Sequence, residues 1–156
     1  MKTAEDILKD KPLGQMICVS PRQTIAEAIR VMNKANIGAI LIEDGDDVKG
    51  IWTERDLLRA MGDREFNPKT ALIGDHMTTR IHSAAHDTPL FQLAEMFLGL
   101  FIRHIVVKKE DKFLGLLSIG DVLRADLLEK EAELKKLNKI ASWNYYENWG
   151  WGRKKK

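Results

Sequence analysis

The chain repeats itself. "GIWTERDLL" at residues 50–58 returns as "GLLSIGDVL" at 115–123, an offset of 65 that lays Thr53 over Ser118, Asp56 over Asp121 and Leu58 over Leu123. The same offset holds upstream, where "NIGAILIEDG" (36–45) lies over "FIRHIVVKKE" (101–110) and "TIAEAIRVM" (24–32) over "PLFQLAEMF" (89–97). A duplicated supersecondary unit constrains the fold more than composition does, because each copy must bury its apolar face against something. Near the start of each copy the register slips to 69, with "EDILKD" (5–10) over "GDHMTT" (74–79), a difference that a surface loop absorbs.

Each copy has a readable order of elements. "QMICVS" is a short apolar strand closed by Pro21, and Thr24 with Glu27 makes a capping box that opens a helix with Ile25, Ala28, Ile29 and Met32 at helical spacing. "AILIE" and "VKGIWT" are strands about the turn "DGDD", and "ERDLLRAM" is a closing helix. The second copy repeats this with "IHSAA", a helix near 89–99 with Thr88 as N-cap and Pro89 as first helical residue, "HIVVKK", "KFLGLLS" and a helix from Ile119. The order is β-α-β-β-α, twice, an α/β (or α+β) class. The units are 1–62, a linker over 63–74 with glycine, proline and charge, 75–127, and a C-terminal helix and tail over 128–156. One copy alone has too little core, so the copies are expected to pack sheet to sheet.

Composition narrows the function classes. The net charge of +2 comes from 25 basic and 23 acidic side chains, and the excess traces to Arg153-Lys154-Lys155-Lys156, which disfavours a nucleic-acid binder. Cys18 is the only cysteine, so no intrachain disulfide forms, and its run "MICV" reads as a small buried hydrophobe. No apolar run approaches a membrane span, and "MKTAEDILKDK" lacks a signal-peptide core, so a cytoplasmic protein without membrane contact is expected.

A glycine-led strand ending in Thr/Ser-x-x-Asp in both copies, with "IRHIVV" and the preceding helices, resembles the cystathionine β-synthase (CBS) domain pair, or Bateman module, over roughly residues 3–127. The resemblance implies a non-catalytic regulatory module that binds adenosine-containing molecules (AMP, ADP, ATP, S-adenosylmethionine or NAD(H)) in clefts between the repeats. It also implies a disk-like homodimer and a regulated partner protein, with no obligatory cofactor. On the matching positions, Asp56 and Asp121 would accept hydrogen bonds from ribose hydroxyls, and Thr53 and Ser118 would contact ribose or phosphate. The backbone near Gly38-Ala39 and Arg103-His104 would edge the adenine, with Arg103 and His104 reaching phosphates. The chemistry is sound on its own: an ionised carboxylate is acceptor-only and a vicinal diol supplies two donors. Arg55 corresponds to Gly120, while Arg103-His104 corresponds to Gly38-Ala39, so positive charge stands once per feature in opposite copies. At most one strong nucleotide site per chain follows. The proline many members carry within "GAILI" and "RHIVV" is missing from both copies.

Simpler readings stand beside these. Thr53 and Asp56 also make a capping box. Ser118, His104 and Asp121 lack the G-x-S-x-G elbow of a hydrolase triad. His76, His82 and His86 read as surface or loop histidines, and "EDGDD" lacks the glycine and distal glutamate of a calcium loop, so no metal site is expected. From Ile119 a proline-free helix places Leu127, Leu134 and Ala141 seven apart, with Lys130 interrupting the second apolar series, so either packing on its own module or short pairing across a dimer suits it. "WNYYENWGWGRKKK" holds three of four tryptophans and both tyrosines, an interface anchor in preference to a nucleic-acid platform. The rival to the sensor reading is therefore a structural or interaction protein with degenerate clefts, acting through this tail.

Overall fold

The structure, a computed structural model, describes residues 1–11 and 17–148, the side chains of 142–148 excepted. The side chains of the aromatic and basic tail, its residues 149–156 and the first two residues of "QMICVS" thus lie outside the described residues. The first repeat contains α1 (Ala4–Lys9), β1 (Cys18–Val19), α2 (Ile25–Ala35), β2 (Ala39–Asp44), β3 (Asp47–Thr53) and α3 (Glu54–Ala60). The second contains α4 (Ile73–His76), β4 (Ser83–Ala85), α5 (Leu90–Leu100), β5 (His104–Lys109), β6 (Lys112–Ser118) and α6 (Ile119–Asn148). Each repeat builds a 3-stranded sheet, β1-β2-β3 or β4-β5-β6, with its first pair parallel and its hairpin antiparallel.

Local chemistry sets most of these boundaries. Thr24 accepts from the Glu27 amide at 3.2 Å while Glu27 accepts from the Thr24 amide at 2.8 Å, and Ile25, Ala28 and Met32 of α2 turn into the core. The hairpins turn at Gly45 (φ 68°) and at its counterpart Glu110 (φ 53°), so only the first copy uses glycine for the left-handed position. One expected boundary is corrected: Pro89 is the N-cap of α5, not its first helical residue, and makes no side-chain cap. The reason lies outside the repeat, since the amide of Leu90 is satisfied by the carbonyl of Lys2 at 2.9 Å.

The repeats exchange their first helices. Ala4 and Ile7 of α1 are buried with Leu90, Leu93, Phe97, Ile105 and Leu117 of the second repeat, whereas Ile73 of α4 is buried with Ile25, Ile40 and Trp52 of the first. Backbone bridges mirror one another, Thr3 to Pro89 and Leu72 to Thr24. The motif glycines seat these exchanged segments. A Cβ on Gly50 would stand 2.5 Å from Met77 Sδ, and one on Gly115 would stand 2.9 Å from Leu8 Cδ2. Leu8 and Met77 are related by the slipped register of 69. Residues 67–71 act as more than a spacer, because the carbonyls of Ala71 and Pro68 accept from the first amides of α2 at 2.9 and 2.8 Å. A third apolar cluster, with Leu41 and Val48 from one sheet and Val106 from the other, joins the two sheets.

Candidate functional site

Among the described residues two clefts open between the repeats, and each joins the helix start of one repeat to the strand entry of the other. The Asp121 cleft, about 630 Å³, brings Ser118 and Asp121 against Gly38 and Ala39 and receives Lys9 and Lys11 from the α1 segment. The Asp56 cleft, about 350 Å³, brings Thr53, Arg55 and Asp56 against Arg103 and His104, with Arg59, Arg80, His82 and Phe101. Gly38 and His104 border both. The crossing has an electrostatic result: the arginines that sequence places in opposite copies, Arg55 and Arg103, meet in one cleft. Four arginines there face two carboxylates, Glu54 and Asp56, while in the other cleft two lysines face Glu5 and Asp121.

The two helix starts are built alike. Asp56 Oδ2 accepts from the Thr53 amide at 2.9 Å and its hydroxyl at 3.0 Å, and Asp121 Oδ2 accepts from the Ser118 amide and hydroxyl, both at 2.8 Å. The Gly38 carbonyl accepts from the Glu54 amide, and the Arg103 carbonyl from the Ile119 amide, each at 3.0 Å. These bonds hold the strand entry of each repeat to its own helix start and so fix the cleft walls. The bonds from Thr53 and Ser118 use only Oδ2 of each aspartate and leave Oδ1 for a ligand.

The clefts differ in what already occupies the aspartate. Lys11 Nζ donates to Asp121 Oδ2 and to the Leu116 carbonyl, both at 2.9 Å, so that carboxylate already carries a paired cation from within the chain. Burial opposes ionisation of Asp121, but the Ser118 amide, Lys11 and the Ser118 hydroxyl outweigh it and hold the carboxyl below its ordinary value. Among the described residues the one ion pair of Asp56 is with the exposed Arg59, 3.9 Å from Oδ1. Burial, then Lys11 and Arg103, push the imidazole of His104 below its usual value, so at neutral pH it offers a hydrogen bond rather than the charge expected for a phosphate contact. Burial and the neighbouring Glu43 push the Cys18 thiol up to about 12, which leaves it a weak nucleophile. His86 sits in the turn after β4, as a loop histidine, and its Nδ1 lies 3.1 Å from Glu5 Oε2, which ties that turn to α1. Among the described residues no group of three or more His, Cys, Asp or Glu side chains is placed to hold a metal ion.

Lys11, Arg59, Arg80 and Phe101 were missed as site residues. Two of them had a signal: extending the register of 69 lays Lys11 over Arg80, one basic residue from each exchanged segment for each cleft. Phe101 is the counterpart of Asn36, and both end a helix at φ 53°. Asn tolerates that left-handed position, whereas a bulky side chain is strained there. Phe101 is nevertheless 93% exposed at the cleft.

The fold is shared with known proteins. The CBS domain model matches residues 4–63 and 73–128, and the chain belongs to that family as a CBS domain pair, whose members are typically regulatory. It is 30% identical over 151 residues to the CBS domain-containing protein CBSX3, mitochondrial, of Arabidopsis thaliana, covering 92% of this chain and 73% of that protein. The crystal structure of the CBS-domain containing protein ATU1752 from Agrobacterium tumefaciens superposes with TM-score 0.72 at 30% identity, over 80% of this chain and 98% of that one. The crystal structure of CBSX2 in complex with AMP shares the fold, with TM-score 0.70 at 23% identity over 83% of this chain and 99% of that one.

Proposed function

We propose that this chain senses a phosphorylated adenosine ligand, AMP, ADP or ATP ahead of S-adenosylmethionine or NAD(H), and that it does so in the Asp56 cleft. One observation carries the reading: Arg55, Arg59, Arg80 and Arg103 converge on the cleft whose aspartate is paired with no lysine among the described residues. Asp56 would take the ribose diol, the arginines the phosphates, and the exposed ring of Phe101 a face of the purine. That CBSX2 is known with AMP supports the ligand class as something this fold houses. The ligand would span α3 of one repeat and the α5–β5 turn of the other. Binding would then favour one relative arrangement of the repeats, and a homodimer would pass that population shift to a regulated partner.

Calorimetric titration with AMP and ATP tests this. One site per chain is expected, with Asp56→Ala weakening it by about 10- to 100-fold for the loss of charge-assisted bonds to the diol. Asp121→Ala should leave the affinity nearly as it was. Two equal sites, or an affinity indifferent to Asp56→Ala, would refute the assignment.

A further inference from the structure

Helix α6 runs from Ile119 to Asn148, but its contacts with the body end early. Val122 and Ala125 are buried, and the amide of Lys2 donates to Glu129 at 2.7 Å; from Lys130 to Ala141 every residue is exposed. Twelve residues at 1.5 Å each make a rod of about 18 Å standing clear of the module. A helix of that length is marginal in water on its own. It also carries an apolar stripe at heptad spacing, with Leu127, Leu134 and Leu137 being 68%, 59% and 60% exposed.

The charges beside the stripe are split along its length. Residues 126–133 hold Asp126, Glu129, Glu131 and Glu133 with a single lysine, whereas 135–139 hold Lys135, Lys136 and Lys139 and no carboxylate. Part of this is satisfied within the helix, by Lys130 on Asp126 and Lys135 on Glu131. Glu133, Lys136 and Lys139 make no ion pair among the described residues. A rod acidic in one half and basic in the other is complementary to itself only when reversed. Parallel alignment would set acid against acid and base against base.

We infer that α6 pairs antiparallel with α6 of a second copy of this chain, leucine stripe to leucine stripe, with the two-fold axis near Leu134. With the axis there, Lys130 lies opposite Asn138 of the second copy instead of its own twin, so the lysine that interrupts the apolar series does not meet a second lysine in the same layer. The surface is independent of the clefts, so the pairing stands or falls apart from the ligand reading.

Spin-label distances on the full chain read both the pairing and its direction. On a Cys18→Ser background, single labels at Leu128→Cys, Ala132→Cys and Asn138→Cys are measured in turn. Antiparallel pairing makes the separation along the helix shortest near Leu134 and widens it by about 3 Å per residue on either side, twice the helical rise. The coupling should weaken at high salt and disappear in Leu134→Asp/Leu137→Asp, whose exposed positions leave the module folded. Equal separations at all three sites would overturn the antiparallel direction. Absent coupling, or coupling that survives the double aspartate variant, would overturn the pairing.

Discussion

Phe101 is a residue whose backbone and side chain pull in opposite directions. It holds a left-handed φ of 53° with its ring almost wholly in solvent, two conditions that neither packing nor backbone preference favours. The first repeat puts Asn36 in the equivalent place, so the module itself contains the relaxed alternative. Phe101→Asn should therefore raise stability by roughly 1 kcal/mol in chemical denaturation while weakening AMP binding in calorimetry. A variant that gains no stability would remove the strain argument, and one that binds as before would remove the ring from the site. Asp121 offers a pH test. Its carboxyl is held below its ordinary value in the folded chain, so its stabilisation is complete above about 3.8, the unfolded value. It is lost as pH falls from there through the lower folded value. Asp121→Asn should lower the urea midpoint at pH 6, and the gap to the parent should close below pH 4; a gap constant from pH 6 to pH 3 would mean that ionisation of Asp121 contributes nothing.

At the scale of elements, the helices and hairpins were legible wherever the signal was local. The Thr24–Glu27 and Thr53–Asp56 boxes form as their spacing implies, and each hairpin closes over two residues, 45–46 and 110–111, between the strands expected. The start of α5 was misread because its first amide is satisfied by Lys2, 88 residues earlier, and no local pattern encodes that partner. The candidate site divides the same way. Thr53, Asp56, Ser118 and Asp121 line clefts because helix starts at strand ends face outward between the repeats. Lys11 and Arg80 enter only through the exchange of α1 and α4, which the shift of register from 65 to 69 hinted at but did not state.

For the molecule as a whole, the unit that repeats and the unit that packs are different stretches of chain. Ile7 is 3% exposed within a cluster otherwise drawn from residues 84–125 and its own helix, so it supports the sheet of the other repeat. Ile7→Ala should cost about 2–5 kcal/mol, and hydrogen exchange should speed up in β5 and β6 before β2 and β3. The reverse order would show that α1 guards its own repeat after all. Both clefts inherit a wall from the exchange, so ligand binding and the joining of the halves draw on the same contacts. The exchange also dictates an order of assembly. On the ribosome α1 leaves the tunnel ahead of the rest of the module and finds its seat only after β6 has been made, more than a hundred residues later. The earlier half, meanwhile, stays open until Ile73 arrives to close it. Synthesis thus runs ahead of completion in both halves, and a nascent chain halted anywhere before β6 holds an unseated apolar helix, which makes it a natural client for chaperones.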